Sequence, residues 1–442
     1  MLFYFALWAA KLIRFLIRLK NKHGGTYYPG KVALSIDPRF VEHIKNVDPR
    51  RAVLITGTNG KSTTTNLVTH ILKDAGKNVC SNVDCGNMLT GIATALLKDA
   101  TAGGRLKDDC YIVMESDERY LRMIRDQLPA KHLIVTNIQR DQAQRNGEPS
   151  YIRDKIAGAL DPDVTLYLNH DEPVSHSLKG ETDHCVTYGV CENERSFRKD
   201  DDFFAVGMAC PRCHNPLSFS AYNIDHIGPF TCPSCGFGGH TGPEVSITDV
   251  DFAGKRFTVG DKTYAFNFNA PYFLYCYAPA IAVCEGFGLT QEQIAGALER
   301  FTNIMGRLET KPCGDKHVQY VKMKQENAET LQSSLNLVAE DKRPKTVLFG
   351  FDEMLDFYPP YVNSFYLFDC DTRALLASGV NHWICMSTAI GRTAALRFLY
   401  DGFDPAALTV LPDSATDTVT DCVKTLDGDN IYLIEEIPYW KK

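Results

Sequence analysis

The chain predicts an α/β protein of two domains: a larger domain with a parallel-rich sheet and an inserted four-cysteine ribbon, then a smaller α/β domain. Three observations predict it. Apolar runs of strand length alternate with helical patterns along most of the 442 residues, the signature of a parallel sheet covered by helices. One such run leads into the glycine-rich turn TGTNGKST (56–63). Two CxxC pairs lie close together at 210–213 and 232–235.

At the N-terminus, MLFYFALWAAKLIRFLIRLKNKHGG (1–25) has an uncharged run that stops at Lys11, too short to span a bilayer. Its charges follow the apolar run, the reverse of a cleavable signal peptide. Lys11, Arg14, Arg18 and Lys22 recur every three or four residues, and no acidic residue precedes Asp37. They form a basic stripe on an otherwise apolar helix. Two readings stay open: a helix in a membrane interface with cations toward anionic headgroups, or a helix docked on the protein's own core or on a partner.

RAVLIT (51–56) reads as a buried strand, and Leu67, Val68, Ile71 and Leu72 share one face of the helix after it, with Gly76 as its C-terminal cap. Between them, a turn of small residues feeding a helix start aims backbone N–H groups and the helix dipole at one point, which suits phosphate. Lys61 would reach the β- and γ-phosphates and the Ser62 hydroxyl would ligate Mg²⁺. The usual pattern, G-x-x-x-x-G-K-[ST], puts a glycine where this chain has Ile55. CYIVMES (110–116) and HLIVTNI (132–138) are further strand candidates, and KTVLFGF (345–351) with HWICMST (382–388) predicts the second α/β domain. A helical stretch at 275–305 precedes it, with a joint near Thr310–Asp315.

Cys210, Cys213, Cys232 and Cys235 have 18 residues between their two pairs, the spacing of a zinc ribbon. Two turns converge four thiolates on one Zn²⁺, and four protein ligands make the site structural, with no open position for catalysis. His214, His226 and His240 read as ordinary loop histidines. Fifteen cysteines without a secretory signal fit a reducing cytoplasm. A net charge of −7 with 23% charged residues gives no reason to expect a nucleic-acid partner.

TGTNGKST resembles the ATP loop of the Mur ligase family, which includes the folylpolyglutamate synthases. The resemblance implies ATP and Mg²⁺ as cofactors, contacted by Thr58, Asn59, Gly60, Lys61, Ser62 and Thr63. It implies Glu115 in VMESDERY as a Mg²⁺ ligand, with Asn137 and Asp141 of TNIQRDQAQRNGE near the metals. In the Gly306–Glu309 segment it makes Arg307 a phosphate contact. The ribbon, the segment GGTYYPGKVALSIDP (24–38) and Gln142 point within that family to the MurT-type branch. That branch implies a heterodimer with a glutamine amidotransferase subunit of GatD type. Together the two would amidate the α-carboxylate of D-glutamate in lipid II through an acyl phosphate. Lys61, Glu115 and Asp369 become the catalytic candidates, Asp369 in SFYLFDCDTRA (364–374) being lent to the partner's Cys–His pair, with Asp371 nearby.

The resemblance implies residues 1–45 as N-terminal helix and lead-in, 46–309 as the ATPase domain with the ribbon at about 205–240, and 310–442 as a C-terminal domain of the branch's own type. The resemblance also implies a cytoplasmic location, at the inner face of the membrane where a lipid-linked substrate resides. Three segments depart from the family: Phe273 and Cys276 replace base-contacting asparagines, with Asn267 or Asn269 as substitutes, and 351–364 and KMKQENAETLQ (322–332) replace two further motifs. Two other functions stay open, a ligase joining an amino acid to a carboxylate and a non-catalytic nucleotide-binding scaffold.

Overall fold

A computed structural model describes residues 1–20, 26–141, 148–198, 208–224, 226–239, 241–267, 271–301, 308–323, 327–350, 365–386 and 389–436. Gln142, His240, Asn269, Arg307 and the segment 351–364 lie outside them. The chain divides into two compact units: Met1–Gln139 with Asn146–Asn303, and Arg140–Arg145 with Ile304–Lys442.

In the first unit, helices α1 (Leu2–Lys20) and α2 (Tyr28–Ile36) precede β1 (Ala52–Thr56), α3 (Lys61–Asp74), β2 (Val79–Ser81), α4 (Leu89–Asp99) and β3 (Tyr111–Glu115). Next come α5 (Leu121–Arg125), β4 (His132–Val135), α6 (Pro149–Ala157), β5 (Thr165–Asn169), α7 (Pro173–His176) and β6 (His184–Val190). The short hairpin β7 (Ser218–Phe219) and β8 (Phe230–Thr231) is followed by β9 (Val245–Asp251), β10 (Arg256–Val259), β11 (Lys262–Ala265), α8 (Leu274–Gly286) and α9 (Gln291–Glu299).

Nine of these strands form one sheet in the order β11-β10-β9-β6-β5-β4-β1-β3-β2. It is parallel from β9 through β2, and β10 and β11 extend it antiparallel. Ala52–Ile55 of β1 are all apolar because helices cover both faces of the strand, so its side chains are buried on either side. Leu54, Met114, Leu133 and Leu166 face one core with Leu96, Ile124 and Ile156. The chain runs from β1 out to β2 and back to β3, then crosses to β4 on the other side of β1. That reversal opens a crevice at the carboxyl ends of β1, β3 and β4, where open α/β sheets bind ligands.

Helix α1 docks on this core through Phe3, Ala6, Leu7 and Ala10. Lys11 turns inward, its Nζ donating to the carbonyls of Leu97 (3.0 Å) and Ala100 (2.7 Å) at the end of α4. There it meets the negative end of that helix dipole. Of the two orientations open from sequence, the docked one describes this lysine, which does not face outward.

The second unit holds β12 (Leu308–Cys313), β13 (Lys316–Met323), α10 (Ala328–Glu340), β14 (Lys345–Phe349), α11 (Arg373–Leu376), β15 (Val380–Cys385), α12 (Ala389–Tyr400), β16 (Leu408–Val410), α13 (Thr416–Thr425) and β17 (Ile431–Glu436). Its sheet runs β12-β13-β17-β14-β15-β16, parallel except for the β12–β13 hairpin. Val347 and Phe349 pack into one core with Trp383 and Phe398, and Leu348 packs into the other with Leu433 and Val419. Alternation of apolar residues across a doubly covered strand explains KTVLF. Thr310–Asp315, the expected joint, is the β12–β13 hairpin itself, and contacts divide instead between Asn303 and Ile304.

Candidate functional site

The loop after β1 begins one residue beyond the strand. Ile55 is fully buried in β1, in register with Glu115 of β3 and Ile134 of β4. A glycine there would weaken the central strand, and the turn needs none before Gly57. Gly57 has φ of 120°, and a side chain on it would meet Thr136 Oγ1 at 2.4 Å and the Asn137 carbonyl at 2.7 Å. Gly60, at φ 83°, is the cap from which α3 starts. The first intrahelical bond is Thr64 N–H to Gly60 O at 2.9 Å, so the amides of Ser62 and Thr63 point out of the helix start.

The segment after β4 holds this loop in shape. Asn137 Oδ1 accepts the Asn59 N–H at 2.9 Å while its Nδ2 donates to the Asn59 carbonyl at 3.0 Å. Its own carbonyl accepts from Thr58 N–H at 2.8 Å. Thr58 Oγ1 accepts the Gln139 N–H at 2.9 Å, and Asn59 Nδ2 donates to Gln139 Oε1, also at 2.9 Å. Thr58 and Asn137, expected to contact nucleotide, are buried in this clamp. Their side chains pair with the loop and its neighbour.

Lys61 Nζ reaches the carbonyls of Gly57 and, at 3.0 Å, Thr58, and lies 3.3 Å from Glu118 Oε2. Both side chains are largely buried, so each charge compensates a partner that would otherwise be costly to desolvate. Ser62 Oγ donates to Glu115 Oε2 at 2.7 Å, and Asn87 Nδ2 donates to Glu115 Oε1 at 3.1 Å. Asn82 holds the Glu115 backbone from both sides, accepting its N–H and donating to its carbonyl, each at 2.8 Å. A hydroxyl and a carboxylate converging beside a helix start form a hard-oxygen pair, the donor type Mg²⁺ takes. Beside them, burial works against the Asp117 carboxylate, but its 2.5 Å pair with Arg119 holds its pKa below the usual range.

Sequence reasoning missed Asn82, Asn87, Glu118 and Gln139. Glu118 stood within the quoted VMESDERY, but nothing in spacing distinguished it from Glu115. Cys276 faces the loop, its Sγ 3.8 Å from the Gly60 carbonyl, and Phe273 is buried. Asn267 donates to the Phe301 carbonyl. Asp141 lies in the second unit, where Asn327 Nδ2 reaches its carboxylate at 3.4 Å.

In the ribbon the four cysteine Sγ atoms all lie within 4.8 Å of one another, with Cys210–Cys235 at 3.7 Å and Cys213–Cys232 at 3.4 Å. Zn–S bonds of about 2.3 Å in a tetrahedron require S···S edges of roughly 3.8 Å, so the donor set fits zinc. The knuckles repeat one geometry. His214 N–H bonds to Cys210 O and Gly236 N–H to Cys232 O, each at 2.9 Å. His214 and Gly236 take the same left-handed position, φ 61° and 72°. His214 is therefore a turn residue. Leu217, Phe230 and Phe237 form a small core beneath the thiols. Asn223 ties the ribbon to the body, donating to Val190 O at 2.7 Å and Tyr275 OH at 2.9 Å.

In the second unit, Asp369 and Asp371 differ in what holds them. Asp371 accepts both Nε and Nη2 of Arg373 at 2.9 Å. Asp369 has Arg140 Nη1 at 3.8 Å and keeps 41% of its side chain exposed. Burial of the rest raises its pKa, with Arg140 opposing. Arg397 fixes the turn between them, donating to Cys370 O at 3.0 Å and packing against the exposed Phe368 ring.

Comparison with known proteins places this geometry. The Mur ligase middle domain matches residues 55–209. The lipid II isoglutaminyl synthase (glutamine-hydrolyzing) subunit MurT of Streptococcus pneumoniae is 29% identical over 308 residues, 68% of this chain and 66% of the relative, so the chain spans about two thirds of that relative's length. The pseudomurein peptide ligase type C of Methanothermus fervidus has the same fold at TM-score 0.67 and 18% identity, over 90% of this chain and 78% of that one. MurF of Thermotoga maritima in complex with ADP superposes at TM-score 0.58 and 12% identity, over 91% and 80%.

Proposed function

We propose, for a chain that is a divergent relative of MurT built on the Mur ligase fold, an ATP-dependent carbon–nitrogen ligase that amidates the α-carboxylate of D-glutamate in the lipid II stem peptide. The observation that carries this is the convergence of Lys61, Ser62 and Glu115 at the carboxyl ends of β1 and β3. A carboxylate resists attack by ammonia because hydroxide is a poor leaving group. Transfer of the γ-phosphoryl group from ATP to the carboxylate oxygen, releasing ADP, makes an acyl phosphate. Ammonia then forms the C–N bond and phosphate leaves, giving D-isoglutamine. Activation through a covalent intermediate divides one hard step into two easier ones.

In this reading the amides of Ser62 and Thr63 receive phosphate oxygens and Lys61 leaves Glu118 to neutralise the β- and γ-phosphates. Ser62 Oγ and Glu115 hold Mg²⁺, which when bound supplies charge neutralisation to the transferring phosphoryl group. The family resemblance adds Arg307 as a further phosphate contact. The ribbon cysteines hold Zn²⁺ for structure. Ammonia comes from a glutamine amidotransferase subunit of GatD type, to which Asp369 is offered from the turn that Arg397 fixes. The protein works in the cytoplasm, at the inner membrane face where a lipid-linked substrate resides.

The test is reconstitution of the full chain with its amidotransferase partner, lipid II, ATP, Mg²⁺ and glutamine, with the stem peptide read by mass spectrometry. Conversion of the D-glutamate carboxyl to a carboxamide is expected. Unmodified lipid II, with phosphate release driven instead by an amino acid, would replace this reading with an amino-acid ligase. Nucleotide binding without any turnover would replace it with a scaffold, a reading that Phe273 and Cys276 at the base-contacting positions favour.

A further inference from the structure

The docking of α1 turns one face of that helix toward the core and leaves the opposite face apolar and exposed. Phe3, Ala6, Leu7 and Ala10 are buried. On the other side, Leu2, Phe5, Trp8, Leu12, Phe15 and Leu19 form a continuous stripe, Phe5 68% and Leu19 69% exposed. An amphipathic helix with nothing but its own protein to cover would present polar residues there. Contiguous exposed apolar surface of this extent marks an interaction site.

The cations report which partner fits. At 3.6 residues per turn, Lys11, Arg14 and Arg18 form one row along the border between the buried and exposed faces. Lys11 is spent on the end of α4, and Arg14 and Arg18 remain on the border, Arg14 half-buried and Arg18 exposed. No acidic residue precedes Asp37. An apolar stripe flanked by cations, with an exposed tryptophan on it, matches the interface of a bilayer carrying anionic headgroups. Self-pairing of this face would bring together two acid-free cationic helices with no counter-charge on either. Among the described residues, no helix is long and apolar enough to cross a membrane.

We propose that the exposed face of α1 is a membrane-docking surface that lies in the plane of an anionic bilayer, with its apolar stripe in the acyl boundary and Arg14 and Arg18 at the headgroups. Several contacts fix how the helix is presented. Lys11 holds its rotation, and Phe3 packs on Phe40 with ring centroids 5.4 Å apart. Tyr4 OH receives Lys45 Nζ at 2.8 Å. The stripe is therefore held outward on a rigid body and needs no unfolding to bind. This deepens the inner-face location proposed above but does not depend on the ligase chemistry.

The experiment floats the full chain, with its amidotransferase partner, on phosphatidylcholine vesicles with and without phosphatidylglycerol. Binding to the anionic vesicles is expected. The double variant Leu12→Asp, Phe15→Asp should weaken it by at least about tenfold, because charges replace two inserted side chains. Arg14→Gln with Arg18→Gln should remove the preference for phosphatidylglycerol. Unchanged zinc content and melting temperature identify these variants as folded. The proposal is overturned if wild type binds neither vesicle, or if the aspartate variant binds like wild type. It is also overturned if that variant's effect is to dissociate a dimer or release the partner subunit in sedimentation velocity, which would assign the face to protein. Failure to bind vesicles with amidation of a short-chain lipid II analogue intact would sink this inference alone. Vesicle binding without amidation would sink only the ligase reading.

Discussion

Replacing Asn137 by alanine tests whether this residue shapes the phosphate loop or touches the nucleotide. Its side chain makes two hydrogen bonds to the Asn59 backbone, at 2.9 and 3.0 Å, from a largely buried position. A neutral hydrogen bond contributes about 1 kcal/mol net, and a buried amide left without its acceptor costs about 1–3 kcal/mol. The Thr58 N–H bond to the Asn137 carbonyl is main-chain and survives the substitution. Asn59 is only half-buried, so water recovers part of the loss. The loop conformation should therefore lose about 2 kcal/mol, corresponding to roughly thirtyfold weaker ATP binding if only the clamped loop binds. The assay pairs ATP titration calorimetry with amide hydrogen exchange over residues 56–63. Faster exchange at Thr58 and Asn59 together with weaker binding is expected. Weaker binding with unchanged exchange would refute the clamp and restore Asn137 as a direct nucleotide contact. Binding within about twofold of wild type would refute both. Asn137→Asp should do no better than alanine, since a carboxylate oxygen would then face the Asn59 carbonyl.

Three further outcomes follow from the geometry. Cys210→Ser should lose zinc by elemental analysis and lower the melting temperature, because metal binding by four thiolates contributes directly to folding free energy. Zinc retained at wild-type level would show that the cluster is not the metal's site. Glu172 is fully buried, and burial pushes its pKa up to about 7 although it accepts N–H bonds from Ile138, Ser175 and Val174. With the folded pKa raised above the unfolded value, the native state holds a proton that the unfolded chain has lost between about pH 4.5 and 7. Its contribution to stability therefore falls as pH rises through that window, by about 3 kcal/mol in all. Glu172→Gln should lack that slope, so the difference between variant and wild-type melting temperatures should shift in the variant's favour as pH rises toward 7, and a difference constant from pH 5 to 8 would contradict the assignment. Asp369→Asn should abolish glutamine-driven amidation while ammonium-driven amidation persists. Equal loss of both would move Asp369 from the partner's machinery to the ligase step or the fold.

Local patterns determined much of this protein. The run AVLIT needed only its own burial on two faces to be read as a central strand, and TGTNGKST needed only its chain neighbours to be read as a phosphate loop. The knuckles CPRC and CPSC likewise carry their ligand geometry within four residues each. Tertiary structure decided the rest, because it depends on groups that meet across large sequence separations. Asn82 and Asn137 are ordinary asparagines until the sheet brings one beside Glu115, 33 residues on, and the other beside Asn59, 78 residues back. Asp369 and Asp371 look equivalent in sequence, and their different arginine partners, Arg140 and Arg373, set them apart. The N-terminal helix makes the same point. Its period revealed two faces and a cationic row, but the end of α4, which captures Lys11, decided which face turns to the core and which is left for solvent.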